Sequence, residues 1–412
     1  MAQTDGSMTQ PSRCPPMLAE RMTGLSGSQT SGMRNKAKQL RERGINVINF
    51  AAGELDLPTS PTIKLAVREA VDADRTQYTD TLGIRPLRER LAERVSRAAG
   101  VAYSAEEVGV TAGAKQALYN AAMVLFDPGC EVIIPAPYWV TFPVQVALAG
   151  ATPVFLPTEH NHFQIDLAEL AGRITSRTRG IILNTPHNPT GVVYDRPTLE
   201  GIAALAMKHD FTVIFDECYE QLVYPPYEHH NIVKLVPEMK NRTVLVNSFS
   251  KTYCMTGWRA GFLSAPKQVI KAVGNLQGHV TSNPNNLAQY GALVALDPVN
   301  DPFVSNVRQV LRTRRECALK LVQQIPQVRC GVPQGAFYLF PDVSQLLGRS
   351  HKGKLVADVD ALAELLLEEA HVAVVAGSAF GSDRHVRISY AVATKDVEEG
   401  LIRIRQLVEG LE

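Results

Sequence analysis

Thr243-Val244-Leu245-Val246-Asn247-Ser248-Phe249-Ser250-Lys251 runs from a β-branched apolar stretch into a small polar turn that ends on a lysine. A short apolar run bounded by turn formers reads as a buried strand, so Lys251 falls just past its carboxyl end. The chain continues through Thr252-Tyr253-Cys254-Met255-Thr256-Gly257-Trp258-Arg259-Ala260 into a second run that starts at Gly261. A lysine at a strand mouth, ringed by hydroxyls and followed by an arginine, suits a Schiff-base cofactor with a phosphate tail.

Two other readings compete for Lys251. A single lysine is usually a solvated surface residue. Ser248-x-x-Lys251 is also the nucleophile spacing of penicillin-recognising enzymes, but that chemistry needs Ser-Asp-Asn and Lys-Thr-Gly companions, and the sequence contains neither.

Working outward, similar runs recur at Val108 to Thr111, Glu131 to Pro135, Thr152 to Pro157, Gly180 to Asn184, Phe211 to Asp216 and Gly261 to Ala265. Helix-length segments between such runs predict βαβ units and an α/β fold, with a large domain built on a mostly parallel seven-stranded sheet covered by helices. Ligands of such sheets bind at the carboxyl ends of the strands, where Asn184, Asp216 and Ser248 fall. The helix after Thr111 opens on Ala112-Gly113-Ala114-Lys115, small residues that let backbone amides approach an anion. Many helices with such openings bind nothing, and neither a Walker loop nor a Gly-x-Gly-x-x-Gly dinucleotide motif is present.

Past Asp297 the texture changes to a charged helix over Asn306 to Gln324, short strands near Gly335 to Phe340 and Val372 to Val375, the run His385 to Tyr390, and a closing helix over Lys395 to Leu411. The expected division is a disordered tail over 1–17, a large domain over 57–297, and a smaller α+β domain made of 18–56 and 298–412. The tail is rich in Ser, Thr, Gln and Pro and carries no targeting pattern.

The 412 residues, 45% hydrophobic and 20% charged, are enough to bury a large core. A formal net charge of +1 gives no reason to expect nucleic acid or an anionic membrane as partner. Six cysteines without Cys-x-x-Cys spacing read as reduced thiols of a cytoplasmic protein. No apolar stretch reaches the ~18 residues of a membrane span. His160, His162, His229 and His230 read as solvated loop residues, so no metal is expected.

The strand ends carry specific chemical demands. Asp216 is a carboxylate at the end of a buried strand; it is either a helix N-cap or the counter-charge of a buried cation such as a protonated pyridine nitrogen. Tyr219 lies three residues on. Asn188 sits in Asn184-Thr185-Pro186-His187-Asn188-Pro189-Thr190-Gly191, a turn that its residues favour anyway.

The order Asn188, Asp216, Tyr219, Lys251, Arg259 resembles the class I aminotransferases of fold type I, the aspartate aminotransferase family that uses pyridoxal phosphate. Further motifs carry the likeness from about Leu18 to the C-terminus: Gly53-Glu54, Gln77-Tyr78-Thr79, Gly113-Ala114-Lys115, Pro137-Tyr138-Trp139, Gly257-Trp258-Arg259 and His385-Val386-Arg387. The resemblance implies that Lys251 carries the cofactor as a Schiff base. It implies that Asp216 keeps the ring nitrogen protonated and that Asn188 and Tyr219 bond the ring oxygen. Ser248, Arg259 and the turn Gly113-Ala114-Lys115 would hold the phosphate, with Tyr78 reaching over from a second subunit of a homodimer. Trp139 would stack on the ring, and Arg387 would pair with the substrate α-carboxylate near Gly53.

The implied reaction moves an amino group from an amino acid to a 2-oxo acid with ping-pong kinetics. Lys115, with Ser28 and Thr30, resembles the distal-carboxylate contacts of one bacterial branch, which favours aspartate or another dicarboxylic amino acid. Two departures stand out. Gly53-Glu54-Leu55-Asp56-Leu57 replaces the usual Gly-Glu-Pro-Asp-Phe, and loss of the proline should loosen that segment. Ala114 replaces a common glycine, which should leave the phosphate amides in place. The rivals are a lyase or decarboxylase on the same fold, a transaminase of an uncommon amino acid, and a non-catalytic regulator. The last would need an N-terminal DNA-binding domain, for which the short tail leaves no room.

Overall fold

In spatial order, the central sheet runs Val108–Thr111, Gly261–Ser264, Thr243–Ser248, Thr212–Asp216, Thr178–Asn184, Glu131–Ala136 and Thr152–Pro157. The computed structural model describes residues 18–412 apart from 23, 24, 26 and 28. Every pairing is parallel except the two made by Gly261–Ser264, which lies antiparallel between Val108–Thr111 and Thr243–Ser248. The expected runs match these strands to within two residues at each end. The five strands from Val108–Thr111 to Thr178–Asn184 in that order carry almost wholly buried side chains, as helices on both faces require.

The two faces bury separate clusters. Ile133, Ile181, Val213, Phe215 and Leu245 pack to one side with Leu91, Leu199 and Ile202 of the helices Arg85–Ala99 and Arg196–His209. Val132, Ile182, Ile214 and Val244 point to the other, against Leu118 and Ala121 of Ala114–Leu125 and Ile270 of Lys267–Val280. The period-two alternation of each strand sends successive side chains to opposite helical layers. Register is thereby set, since a slip by one residue would exchange the two faces. All the parallel strands therefore end on one edge.

The chain past Asp297 builds a second core around Leu311, Phe337, Leu366, Ile388 and Leu401. Its long helix spans Asp301–Val322, five residues earlier than the periodicity suggested, because Pro302 is tolerated in a first turn where its missing N–H has no helical partner. The expected strand near Gly335 to Phe340 shrinks to Tyr338–Leu339. The expected Val372 to Val375 strand splits in two. Val372–Ala373 pairs in parallel with Ile48–Asn49, and Val375–Ala376 pairs antiparallel with Val386–Ser389. The first of these pairings ties the N-terminal stretch to the C-terminal one. Among the described residues no helix is long and apolar enough to cross a membrane.

Candidate active site

Asp216 is the last residue of its strand and lies opposite Asn184 in the neighbouring one. Its carboxylate is 5% exposed, and its Oδ1 accepts the Cys218 backbone N–H at 3.1 Å. Burial penalises the charged form and pushes the carboxyl up to about 6, against these hydrogen bonds and the nearby Lys251. A carboxylate buried this deeply, with no basic side chain bonded to it among the described residues, is suited to meet a cationic ligand group.

Lys251 follows the strand Thr243–Ser248 by three residues, and its Nζ donates to the Gly53 carbonyl. Burial brings its ammonium down to about 8, with the positive charges of Arg387 and Arg259 acting in the same direction. A lysine partly deprotonated near neutral pH is a nucleophile and a base.

Two glycines shape the phosphate-sized end of the site. Gly113 has φ +79, and a Cβ there would come within 2.5 Å of Arg259 Nη2. A Cβ on Gly261 would come within 2.6 Å of the Ala114 nitrogen. These close approaches bring the first turn of Ala114–Leu125 against Arg259, whose guanidinium donates to the carbonyls of Thr256 (2.8 Å) and Ala112 (3.2 Å). Free helical N–H groups beside a guanidinium form an anion cradle. Ser248 lies at the same end, its Oγ accepting the Ser250 N–H at 3.1 Å.

Opposite Lys251, Arg387 is 2% exposed on the strand Val386–Ser389. It donates to Asn188 Oδ1 and to the Ala51 carbonyl, each at 3.0 Å, and its Nε has no partner among the described residues. Its guanidinium carbon lies 4.5 Å from the centroid of the Tyr338 ring. The hydroxyls of Tyr338 and Tyr219 are 2.9 Å apart, and burial drives the Tyr219 phenol well above its ordinary value. Lys115 holds its Nζ 5.0 Å from the Trp139 ring centroid, with burial and Arg259 both lowering its pKa.

These groups surround one cavity of about 430 Å³. Gly53, Ala114, Lys115, Trp139, Asn188 and Asp216 line it, together with Tyr219, Ser248, Lys251, Arg259 and Arg387. Gly113 acts one step back, as the close approach to Arg259. Tyr78 is 88% exposed and lies outside the cavity of its own chain. Ser28 falls outside the described residues. Thr30 lies in the helix Gln29–Glu42, with its side chain outside them.

Other lining residues escaped the sequence reading. Tyr338, Cys218, Ser250, Thr256, Ser31 and Arg34 also border the cavity. Tyr338 carried one signal, a tyrosine on an expected strand beside Gly335. Cys218, Ser250 and Thr256 stand a few residues from Asp216, Lys251 and Arg259 in the chain, whereas Ser31 and Arg34 had no signal, because adjacency across the fold brings them in. Asn184 was placed only as a strand end; it accepts the Asn188 N–H at 2.8 Å and donates to the Asp216 carbonyl at 3.2 Å, which joins the two strand mouths.

A larger cavity of about 940 Å³ is lined by His160, His162, Tyr227, Arg329 and Arg384 among others, and contains none of the expected site residues. His229, read as solvated, is instead largely covered and lies 2.9 Å from Glu217, with Glu220 close by. Those carboxylates already have partners: Asn231 donates to Glu217 at 3.0 and 3.2 Å, and Arg94 pairs with Glu220 at 2.5 Å.

A mostly parallel sheet with a nucleophilic lysine, a buried carboxylate and an anion cradle at its carboxyl edge suits a Schiff-base enzyme with a phosphate-bearing cofactor. Residues 45–404 match the family model of aminotransferase class I and II, and the chain belongs to that family. It is 41% identical to an aspartate aminotransferase of Geobacillus stearothermophilus over 95% of this chain and 99% of the relative. It is 40% identical to an aspartate/prephenate aminotransferase of Cereibacter sphaeroides over 96% and 99%. Among solved structures, the aspartate aminotransferase of Thermus thermophilus with maleate superposes with a TM-score of 0.89 at 37% identity, covering 95% of this chain and 99% of that one.

Proposed function

We propose that this chain is a pyridoxal-phosphate-dependent aminotransferase that exchanges an amino group between aspartate, or another dicarboxylic amino acid, and a 2-oxo acid such as 2-oxoglutarate. The observation that carries this reading is the convergence of Lys251, Asp216 and Arg387 on one cavity of about 430 Å³. The residues fit the cofactor. The cradle made possible by Gly113 and Gly261 suits a phosphate, and the buried Asp216 suits a protonated ring nitrogen.

Bound there, pyridoxal phosphate supplies a carbonyl that takes up an amino group and a ring that accepts electrons. Ser248, Arg259 and the Ala114 and Lys115 amides hold the phosphate. Asp216 keeps a proton on the ring nitrogen, because a carboxylate desolvated beside that atom favours the pair over either charge alone. Asn188 and Tyr219 hold the ring oxygen, and Trp139 covers the ring face. Arg387 orients the substrate through two parallel bonds to its α-carboxylate. The Lys251 amine then takes the proton from the substrate α-carbon, a role its lowered pKa suits.

Tyr78 supports a homodimer. A phenol 88% exposed is free to meet a second copy, from which Tyr78 would reach that copy's phosphate. In this reading 57–297 form the large domain, and 18–56 with 298–412 the smaller one.

The test is a spectral titration. Cofactor-loaded protein should lose its Schiff-base absorbance on addition of aspartate or glutamate and regain it with 2-oxoglutarate, and Lys251→Ala should show neither band change. Release of ammonia or carbon dioxide without glutamate formation would assign a lyase or decarboxylase instead. Failure of the wild type to bind pyridoxal phosphate would end the proposal.

A further inference from the structure

Arg34 falls in none of the motifs quoted above and has no role in the site as described so far. It lies on the helix Gln29–Glu42, three residues after Ser31, so the two share one helical face. Both border the cavity that Lys115 and Trp139 also line. Lys36 and Lys38 on the same helix have carboxylate partners, Glu364 at 2.8 Å and Glu42 at 3.8 Å. Arg34 is exposed and, among the described residues, has neither an ion pair nor a hydrogen bond.

The charges of the cavity show what is left for Arg34 to do. Asp216 and Glu54 are its carboxylates, and Lys115, Lys251, Arg34, Arg259 and Arg387 its cations. On the aminotransferase reading, Arg259 would hold the phosphate, Lys251 the cofactor and Arg387 the α-carboxylate. Lys115 and Arg34 remain. Lys115 is a single point charge held over an indole, whereas a distal carboxylate offers two oxygens and several acceptor sites.

We propose that Arg34 is a specificity residue that, together with Lys115, receives the distal acid group of a dicarboxylic substrate at the cavity entrance. The inference rests on the aminotransferase reading above and names its substrate class. Lys115 supplies the inner, partly desolvated contact. Arg34 supplies the outer one and raises the local concentration of dianionic over monoanionic substrates. A charge at a rim acts on encounter and discrimination more than on tight binding, and salt screens it.

The experiment compares wild type with Arg34→Ala, Arg34→Lys and Arg34→Glu, each loaded with pyridoxal phosphate and checked by thermal melting. The readouts are kcat/KM for aspartate against alanine at low and high salt, and the dissociation constant of maleate, a dicarboxylate that does not react, against propionate. Arg34→Ala should lower the aspartate-to-alanine ratio by roughly three- to tenfold at low salt, and by less at high salt. Maleate should weaken by a similar factor and propionate should not. Arg34→Lys should recover part of the ratio, and Arg34→Glu should lose more than Arg34→Ala. Equal losses for aspartate and alanine would place Arg34 in cofactor binding or folding and overturn the proposal, as would an unchanged ratio. A wild type that transaminates nothing overturns the underlying aminotransferase reading, whereas an active wild type with an unchanged ratio overturns this inference alone.

Discussion

Arg387 Nη1 donates to Asn188 Oδ1 at 3.0 Å, across 199 positions of sequence. The bond joins the strand Val386–Ser389 to the turn that follows Thr178–Asn184 in the large sheet. It points the guanidinium before any substrate arrives, which lowers the cost of ordering it on binding.

Asn188→Ala should therefore weaken binding of carboxylate substrates by roughly ten- to a hundredfold, about 1.5–3 kcal/mol for a lost bond to a buried charged group. Steady-state kinetics with aspartate should show the loss mainly in KM. Absorbance should also report a changed environment of the ring oxygen.

Lys251 should be the most reactive lysine of the cofactor-free protein near neutral pH, because its ammonium is drawn down to about 8. Modification by an amine-directed reagent, followed by peptide mass spectrometry, should rise through about pH 8 at this residue and only near pH 10 at exposed lysines. Pyridoxal phosphate should protect it. A profile at Lys251 that matches the exposed lysines would contradict the burial assigned to it.

Asp216, raised to about 6 in the cofactor-free protein, binds more protons folded than unfolded between its ordinary range and pH 6. Its contribution to stability is thus present at low pH and is lost as pH rises through 6. Asp216→Asn should remove that loss, so cofactor-free mutant should gain on wild type by on the order of 1–3 kcal/mol between pH 4 and pH 7 in denaturant melts. With cofactor bound the order should invert, since the mutant lacks the charge that pairs with the ring nitrogen.

Gly261→Ala should be poorly tolerated, because its Cβ would meet Gly113 and the Ala114 nitrogen at 2.6 to 2.8 Å, and backbone cannot give way as a side chain can. A destabilisation of about 1–3 kcal/mol is expected, with weakened retention of pyridoxal phosphate on dialysis.

Asp56 pairs with the buried Arg314 through two bonds, at 2.6 and 3.0 Å, while its backbone N–H donates to Ala391 and Leu55 is buried in the second core. The segment in which loss of a proline was expected to bring looseness is thus pinned at three points. Asp56→Ala should cost about 2–3 kcal/mol by leaving Arg314 unpaired, measurable as a lowered thermal midpoint.

Much of the sheet was legible because its strands are short, β-branched and bounded by turn residues, and because buried parallel strands read as continuous apolar runs. Lys251, Asp216 and Asn188 were legible through their places at strand ends. The small strands beyond Asp297 were not. Two-residue ladders such as Val372–Ala373 with Ile48–Asn49 have no periodicity to detect, and their partners lie hundreds of residues away. His229 was misread for a different reason: a loop histidine looks solvated until the chain folds back on Glu217 and Glu220, 12 and 9 residues before it.

The sequence by itself determined that a buried parallel sheet carries a lysine, a carboxylate and an asparagine at its mouths, because alternation, turn chemistry and strand length are local properties. Only the tertiary structure decided that Arg387 meets Asn188, that Tyr338 meets Tyr219, and that Arg34 lines the same cavity as Lys115. Those relationships depend on how elements far apart in the chain pack, and the resulting burial changes the chemistry of Lys251 and Asp216.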